Sequence, residues 1–285
     1  MRSLLPILRL LRVGTLFSPA ADVVASVAIA GLPWQLDVAR AAFASVCLYA
    51  GGMVWNDVAD RDVDARQRPE RPLPRGDLSV RFAVTLGLVL FAVGLLVSPC
   101  RLHHAVIAAL VLGYDFASKR LLALSVLGMG VLRGLNLATG LAIAGPIDPA
   151  RRTDVLVAAI AYGGYIVAVT VLGICEDLPR ARAWVVRTAQ CVPPLAVGIA
   201  LWTVQGGPWP APALAALPLA AVLGRMVRIR DWNRGAIRGA MMWLLLGTML
   251  YTGLLALAAG ATWAALGIIA CIWPARRIGR AIALT

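Results

Sequence analysis

Four stretches of this chain carry no Asp, Glu, Lys or Arg at all: residues 82–100, 155–175, 188–224 and 239–275. Roughly 20 mostly apolar residues suffice for a helix to cross a bilayer core of about 30 Å. The first two stretches therefore fit one crossing each. The last two have room for two each, with breaks near 205–210 and 259–261. Only 14% of the 285 residues are charged and 60% are hydrophobic, with a mean hydropathy of +0.81. A soluble domain carries about 25% charge. A β-barrel needs alternating apolar and polar residues, and the runs do not alternate. The chain reads as all-α, a polytopic membrane helical bundle of 9–10 transmembrane helices in one domain, 1–285.

The candidate spans are 15–33, 36–57, 82–99, 102–118, 121–144, 155–176, 185–204, 209–228, 238–258 and 262–278. Nine remain if the last hairpin does not fully cross. The first residues, MRSLLPILRLLRVG, form an apolar stretch interrupted by arginines, and read as a short interfacial helix rather than a cleaved leader. The net charge of +13 could suggest nucleic acid, but its placement argues against that. With the loops assigned to alternate sides, 22 of the Lys and Arg residues fall on one side and 4 on the other, with Arg133 inside a span. That bias follows the positive-inside rule and places both termini and the acidic loops in the cytoplasm. The protein is expected in a bacterial inner membrane, with the lipid bilayer and no nucleic acid as its partner. The five cysteines lie in or at the ends of spans with no CxxC, which suits packing. His103 and His104 fall on the side away from the acids and are expected at the interface.

The acidic residues cluster. Four of fourteen fall within eight positions, Asp57 to Asp64, of NDVADRDVDARQRPE, Asn56 to Glu70, at the end of span two. A helix continued through it puts Asp57, Asp60 and Asp64 on one face, with Asn56 beside them and Asp62 turned away. Three carboxylates on one face repel unless a cation binds, and oxygen ligands suit Mg²⁺, which takes few carboxylates and completes its shell with water or phosphate. A calcium loop is excluded: Ala65 stands where glycine is needed and Arg71 where glutamate is needed. Arg68, Arg71 and Arg75 follow in a loop stiffened by Pro69, Pro72 and Pro74, and arginine holds phosphate bidentately. Carboxylates beside fixed arginines suit a Mg²⁺-bridged diphosphate.

NDxxDxxxD at Asn56 to Asp64, followed by Arg68 to Gly76, resembles the first aspartate motif of the UbiA superfamily of intramembrane prenyltransferases. The resemblance implies an all-helical fold of about nine spans, Mg²⁺ as cofactor, and transfer of an isoprenoid from a prenyl diphosphate to an aromatic or lipid-like acceptor. It implies metal ligation by Asn56, Asp57, Asp60 and Asp64. A second family feature, a tyrosine and lysine ending span four, matches YDFASKR, Tyr114 to Arg120. Lys119 is the single lysine against 26 arginines. The resemblance puts it on the diphosphate, with Tyr114, Arg120, Arg68 and Arg71. The spacing from Tyr114 to Lys119 is one residue longer than the common pattern. The second acidic motif is altered: Glu176 and Asp177 are in place as metal candidates, but Arg180 stands where another acid is expected. This departure leaves open a carrier of prenyl diphosphate or prenylated lipid without transfer.

Arg133 to Asn136, RGLN, lies within span five. An ionisable residue there costs at least about 2.5–3.5 kcal/mol to insert, so it is functional or internally paired. Arg133, Asn136 and Asp22, the last just inside span one, are candidates to line a cavity or to pair. RGLN, the YDxxxK form and the altered second motif together are similar to an EboC-like bacterial subgroup.

Overall fold

A computed structural model describes residues 4–117, 121–143, 147–178, 182–204, 210–229 and 231–283. All regular structure among them is helical: α1 (Leu4–Leu10), a 3₁₀ turn (Val13–Thr15), α2 (Phe17–Ala30), α3 (Leu36–Ala59), α4 (Arg61–Gln67), α5 (Val80–Val97), α6 (Arg101–Phe116), α7 (Leu122–Leu137), α8 (Gly140–Ile143), α9 (Pro149–Asp177), α10 (Ala183–Thr203), α11 (Ala211–Arg228), α12 (Arg234–Ala258), α13 (Thr262–Ala270) and α14 (Ile272–Ala283). Six segments are long and apolar enough to cross a membrane: Val13–Ala30, Leu36–Ala59, Val80–Val97, Pro149–Glu176, Ala183–Thr203 and Arg234–Ala258. The shorter α6 and α7, and α11, fall on three further expected spans. The expected break at 205–210 lies mostly outside the described residues.

Local chemistry sets the helix starts. Asp148 caps α9, accepting from the amides of Ala150 at 2.7 Å and Arg151 at 3.4 Å, with Pro149 at the first position. Ser79 caps α5 and Asn233 caps α12 in the same way. Gly31 ends α2 at φ +67°, a left-handed conformation that favours glycine.

Consecutive long helices pack antiparallel. On α5, Gly87 lies against Trp55 and Gly94 against Cys47 of α3, so the two helices run opposite ways. On α7, Gly130 meets the backbone of Gly163 and Gly134 that of Ala159 on α9. A Cβ at Gly130 would stand 2.7 Å from the Gly163 oxygen. Small residues of this kind let membrane helices approach at backbone distance. Tyr165 and Tyr251 donate to the Leu244 and Ala158 carbonyls, at 2.6 and 2.8 Å, and tie α9 to α12. The main apolar core runs through α9, α10 and α12. Leu102, Val227 and Trp263 are more than 80% exposed, as suits a surface solvated by lipid.

One expectation is corrected here. The span 262–278 is divided at Cys271 into α13 and α14. α14 returns to the chain start: Gly279 abuts Gly14, and Arg9 Nε donates to the Ile282 carbonyl at 3.1 Å. The histidines, expected at the interface, are packed against neighbouring helices. His104 is fully buried, between Ser98 Oγ at 2.6 Å and Ser45 Oγ at 3.1 Å. His103 Nε2 lies 3.1 Å from the Leu135 carbonyl oxygen. A polar ring pair held this way ties α6 to α3 and α7 without exposing an unsatisfied group to lipid.

Candidate active site

The acidic stretch continues the helix. The Asp60 amide donates to the Asn56 carbonyl at 3.0 Å, and the Asp64 amide to the Asp60 carbonyl at 2.8 Å. The ladder thus runs from α3 into α4, and Asp57, Asp60 and Asp64 share one face as the spacing predicts. Asp62 points away, exposed, and pairs with Arg61 at 3.0 Å.

Asp57 and Asp64 are buried. Arg71 Nη1 bonds Asp64 Oδ2 and stands 3.4 Å from Asp57 Oδ1. Arg12 Nη2 reaches the same Asp57 oxygen at 3.1 Å. Asn56 Nδ2 donates toward Asp57 Oδ1 at 3.4 Å and Asp60 Oδ2 at 3.5 Å. Arg71 is held over the site by its neighbour Leu73, which is buried in a cluster with Leu10, Val54 and Ala83. Gly76, at φ +80°, turns the loop back toward α5. Arg68 is half-buried, and Arg75 faces Asp77 at 3.5 Å. The repulsion that calls for a cation is therefore met, at Asp57 and Asp64, by arginine.

The other expected residues fall in three places. Tyr114 is half-buried at the end of α6, its hydroxyl 3.4 Å from Ser125 Oγ of α7 and its ring against Gly128. Lys119 and Arg120, with Arg180, lie outside the described residues. Glu176 Oε1 is 3.9 Å from Arg238 Nε and 4.0 Å from Arg234 Nε at the start of α12. Both arginines are mostly exposed, so these pairs are weak. Asp177 closes α9, and its side chain lies outside the described residues.

Asp22, Arg133 and Asn136 form a separate cluster in the bundle interior. Arg133 Nη2 is 3.1 Å from Asp22 Oδ2 and also donates to Ser18 Oγ and the Tyr162 hydroxyl. Asn136 Nδ2 donates to Asp22 Oδ2 at 2.8 Å and to the Pro19 carbonyl at 3.1 Å. The Arg133 guanidinium also lies over Tyr49 and Tyr162, 5.6 and 5.3 Å from the ring centres. Tyr162 stacks on Tyr251 at 5.0 Å. Asp22 is fully buried, and Arg133 Nη1 is buried with no hydrogen-bond partner. Of the two sequence alternatives, pairing is the one observed. Tyr49 lies seven residues before Asn56 on α3, so it faces the same way about two turns deeper, roughly 10 Å.

The sequence reading missed Arg12 and Asp115. Arg12 had counted only as loop charge. Asp115 is buried near the end of α6, and the argument that singled out Arg133, an ionisable group within a span, applies to it equally.

Among the described residues no three His, Cys, Asp or Glu side chains converge as metal ligands. The donor chemistry at the acidic stretch nevertheless suits a hard divalent cation: every available ligand is a carboxylate or amide oxygen. Mg²⁺ needs only one or two protein carboxylates when phosphate oxygens complete its shell.

The model of the UbiA prenyltransferase family matches residues 17–247. The chain belongs to that family. Among its relatives, the digeranylgeranylglyceryl phosphate synthase of Sulfolobus acidocaldarius is 55% identical over 49 residues, 17% of this chain and 18% of that one. The enzyme of the same name from Thermococcus kodakarensis is 44% identical over 73 residues, 25% and 26% of the two chains. The matched stretches thus span about a quarter or less of these relatives. The likeness to solved structures is far longer. An apo UbiA homologue from Aeropyrum pernix K1 is 19% identical, covering 83% of this chain and 94% of that one with a TM-score of 0.62. A UbiA homologue from Archaeoglobus fulgidus bound to DMAPP and Mg²⁺ is 15% identical, covering 93% and 99%, with a TM-score of 0.59. At these identities the likeness is one of fold.

Proposed function

We propose that this UbiA-family protein transfers an isoprenoid from a prenyl diphosphate to an acceptor within the membrane. The observation that carries the reading is the buried Asp57–Arg71–Asp64 bridge beside Asn56 and Asp60, at the polar end of an apolar bundle. The family relative bound to DMAPP and Mg²⁺ supports both the donor class and the ion. The names of the sequence relatives favour an acceptor of the prenylated glycerol phosphate kind over an aromatic one.

In this reading Asn56, Asp57, Asp60 and Asp64 hold Mg²⁺, with Glu176 and Asp177 as candidates from the altered second motif. The ion supplies charge neutralisation to the diphosphate. Arg71 and Arg12 exchange part of their carboxylate contacts for diphosphate oxygens, and Arg68, Lys119, Arg120 and the Tyr114 hydroxyl add donors. Stabilising the leaving diphosphate lowers the barrier to breaking the allylic C–O bond. The apolar helix walls keep water from the allylic cation until the acceptor attacks. Asp22, Arg133 and Asn136 form the floor beneath Tyr49. The arginine distribution supports an acidic face and both termini on the cytoplasmic side.

The test is Mg²⁺-dependent diphosphate release by purified protein given geranylgeranyl diphosphate and membrane lipid extract. Release that Asp60→Asn and Lys119→Ala abolish supports transfer. A second reading, a carrier without transfer, is favoured by the altered second motif, in which Arg180 stands where another acid is expected. Metal-dependent binding without release, lost in the same variants, would establish that reading instead.

A further inference from the structure

Away from the acidic stretch, a cavity of about 460 Å³ opens between α11 and α12. Its floor is the small-residue face of α11, Ala220, Ala221 and Gly224; Arg225 and Arg228 stand one turn further on, and Trp243 of α12 forms the side wall. The composition is divided. One part is apolar and broad enough for a hydrocarbon chain, and the other carries two guanidinium groups.

Neither arginine has a carboxylate partner among the described residues. The described arginines in this corner behave differently: Arg234 and Arg238 turn to Glu176, whereas Arg225 and Arg228 line the cavity. Arg225 Nε is buried and makes no hydrogen bond. A buried guanidinium N–H without an acceptor in the protein is costly, and an anion in the cavity would supply one. Arg225 is also placed. A Cβ at Gly239 would lie 3.0 Å from Arg225 Nη2, so glycine on α12 leaves the room its guanidinium occupies. The C-terminal end of α11 contributes a partial negative charge of about half a unit, and Asp231 follows in the loop; two guanidiniums outweigh the first, and Asp231 is exposed. Trp243 suits the boundary where headgroups meet hydrocarbon.

We propose that this cavity binds the phosphate group of an anionic amphiphile, with Arg225 and Arg228 on the phosphate oxygens and the chain along Ala220, Gly224 and Trp243. Arginine pairs with phosphate through two parallel N–H groups, which a single Nε and its Nη neighbour provide. The same phosphate chemistry could come from a lipid headgroup or from free phosphate, and the two are separated by the probe. The site is distinct from the acidic stretch and does not depend on the transfer reading.

Native mass spectrometry of the purified protein released from detergent tests this, with phosphatidylglycerol, phosphatidylcholine and inorganic phosphate offered separately. The expected result is phosphatidylglycerol retained by the parent protein and reduced at least about fivefold in Arg225→Gln/Arg228→Gln, with phosphatidylcholine retained equally by both. Arg276→Gln/Arg277→Gln removes the same charge from exposed positions outside the cavity and is expected to retain phosphatidylglycerol like the parent, which separates the site from general surface charge. Inorganic phosphate adducts lost in the double variant, without phosphatidylglycerol retention, would support the phosphate site and assign it to a soluble ligand. Equal retention of phosphatidylglycerol by parent and double variant, or no adduct with either phosphate probe, would overturn the proposal. Unchanged elution and thermal transition of the variants establish that they fold.

Discussion

Arg71 is the residue on which the acidic face depends. It bridges two buried carboxylates that otherwise face each other on one helical surface. Removing it leaves Asp57 with Arg12 and Asn56, and Asp64 with no arginine among the described residues. Arg71→Ala is expected to lower the thermal transition in detergent, and added Mg²⁺ to restore part of the loss. The measurement is the shift on adding Mg²⁺, larger in Arg71→Ala than in the parent; equal shifts would mean that the ion does not reach these carboxylates. The interior pair, Asp22 and Arg133, is coupled in the same way. Breaking a buried ion pair at one end costs about 3–5 kcal/mol, because the other charge is stranded. Asp22→Asn and Arg133→Met should each lose stability on that scale. The double variant should lose less than their sum, since neither stranded charge remains; strict additivity in unfolding would show that the two do not pair. Arg133 was singled out in the sequence by its depth, but its partner lies 111 residues earlier and no local pattern connects them. Arg12 was hidden for the same reason: its role exists only once α2 and α3 stand side by side.

At the scale of the helix, glycines decide how close neighbours come. A methyl group at Gly130 would press into the backbone of α9, which cannot give as a side chain can. Gly130→Ala is expected to cost about 1–3 kcal/mol, as overpacking does. Gly164→Ala, where a Cβ meets nothing within 4 Å, should stay within about 0.5 kcal/mol. Comparing the two in one unfolding series checks the contact, and similar losses would place α7 and α9 further apart. Most helices were legible because charge marks where the membrane ends. The charge-free run 239–275 gives no such mark for the bend at Cys271, which arises where α14 docks on Gly14. The expected span 121–144 also stops early, at Leu137. There Gly140 closes on Ser26 and donates its amide to Ser26 Oγ at 2.9 Å, a tertiary contact that helix periodicity does not encode.

At the scale of the whole molecule, the antiparallel alternation of helices brings Asp57, Asp64, Glu176 and the α11–α12 loop to one face, and Arg101, Arg151 and Arg152 to the other. Moving arginine-rich loops across a membrane is costly, so the 22 to 4 distribution supports the proposal that the acidic face is inward. That placement is a necessary condition for the proposed function, because prenyl diphosphates are charged and do not cross a bilayer unaided. It is testable without any activity. Cysteines introduced at Asp62 and Asp231 should react with a membrane-impermeant maleimide in inside-out vesicles and not in right-side-out ones. Cysteines at Arg101 and Ala150 should show the reverse. All four positions are exposed, so slow labelling would not reflect burial. The native cysteines are buried or half-buried, and the parent protein supplies the background. Labelling of Asp62→Cys from outside would put the acidic face away from the donor, and the transfer reading would fail whatever its residues can hold.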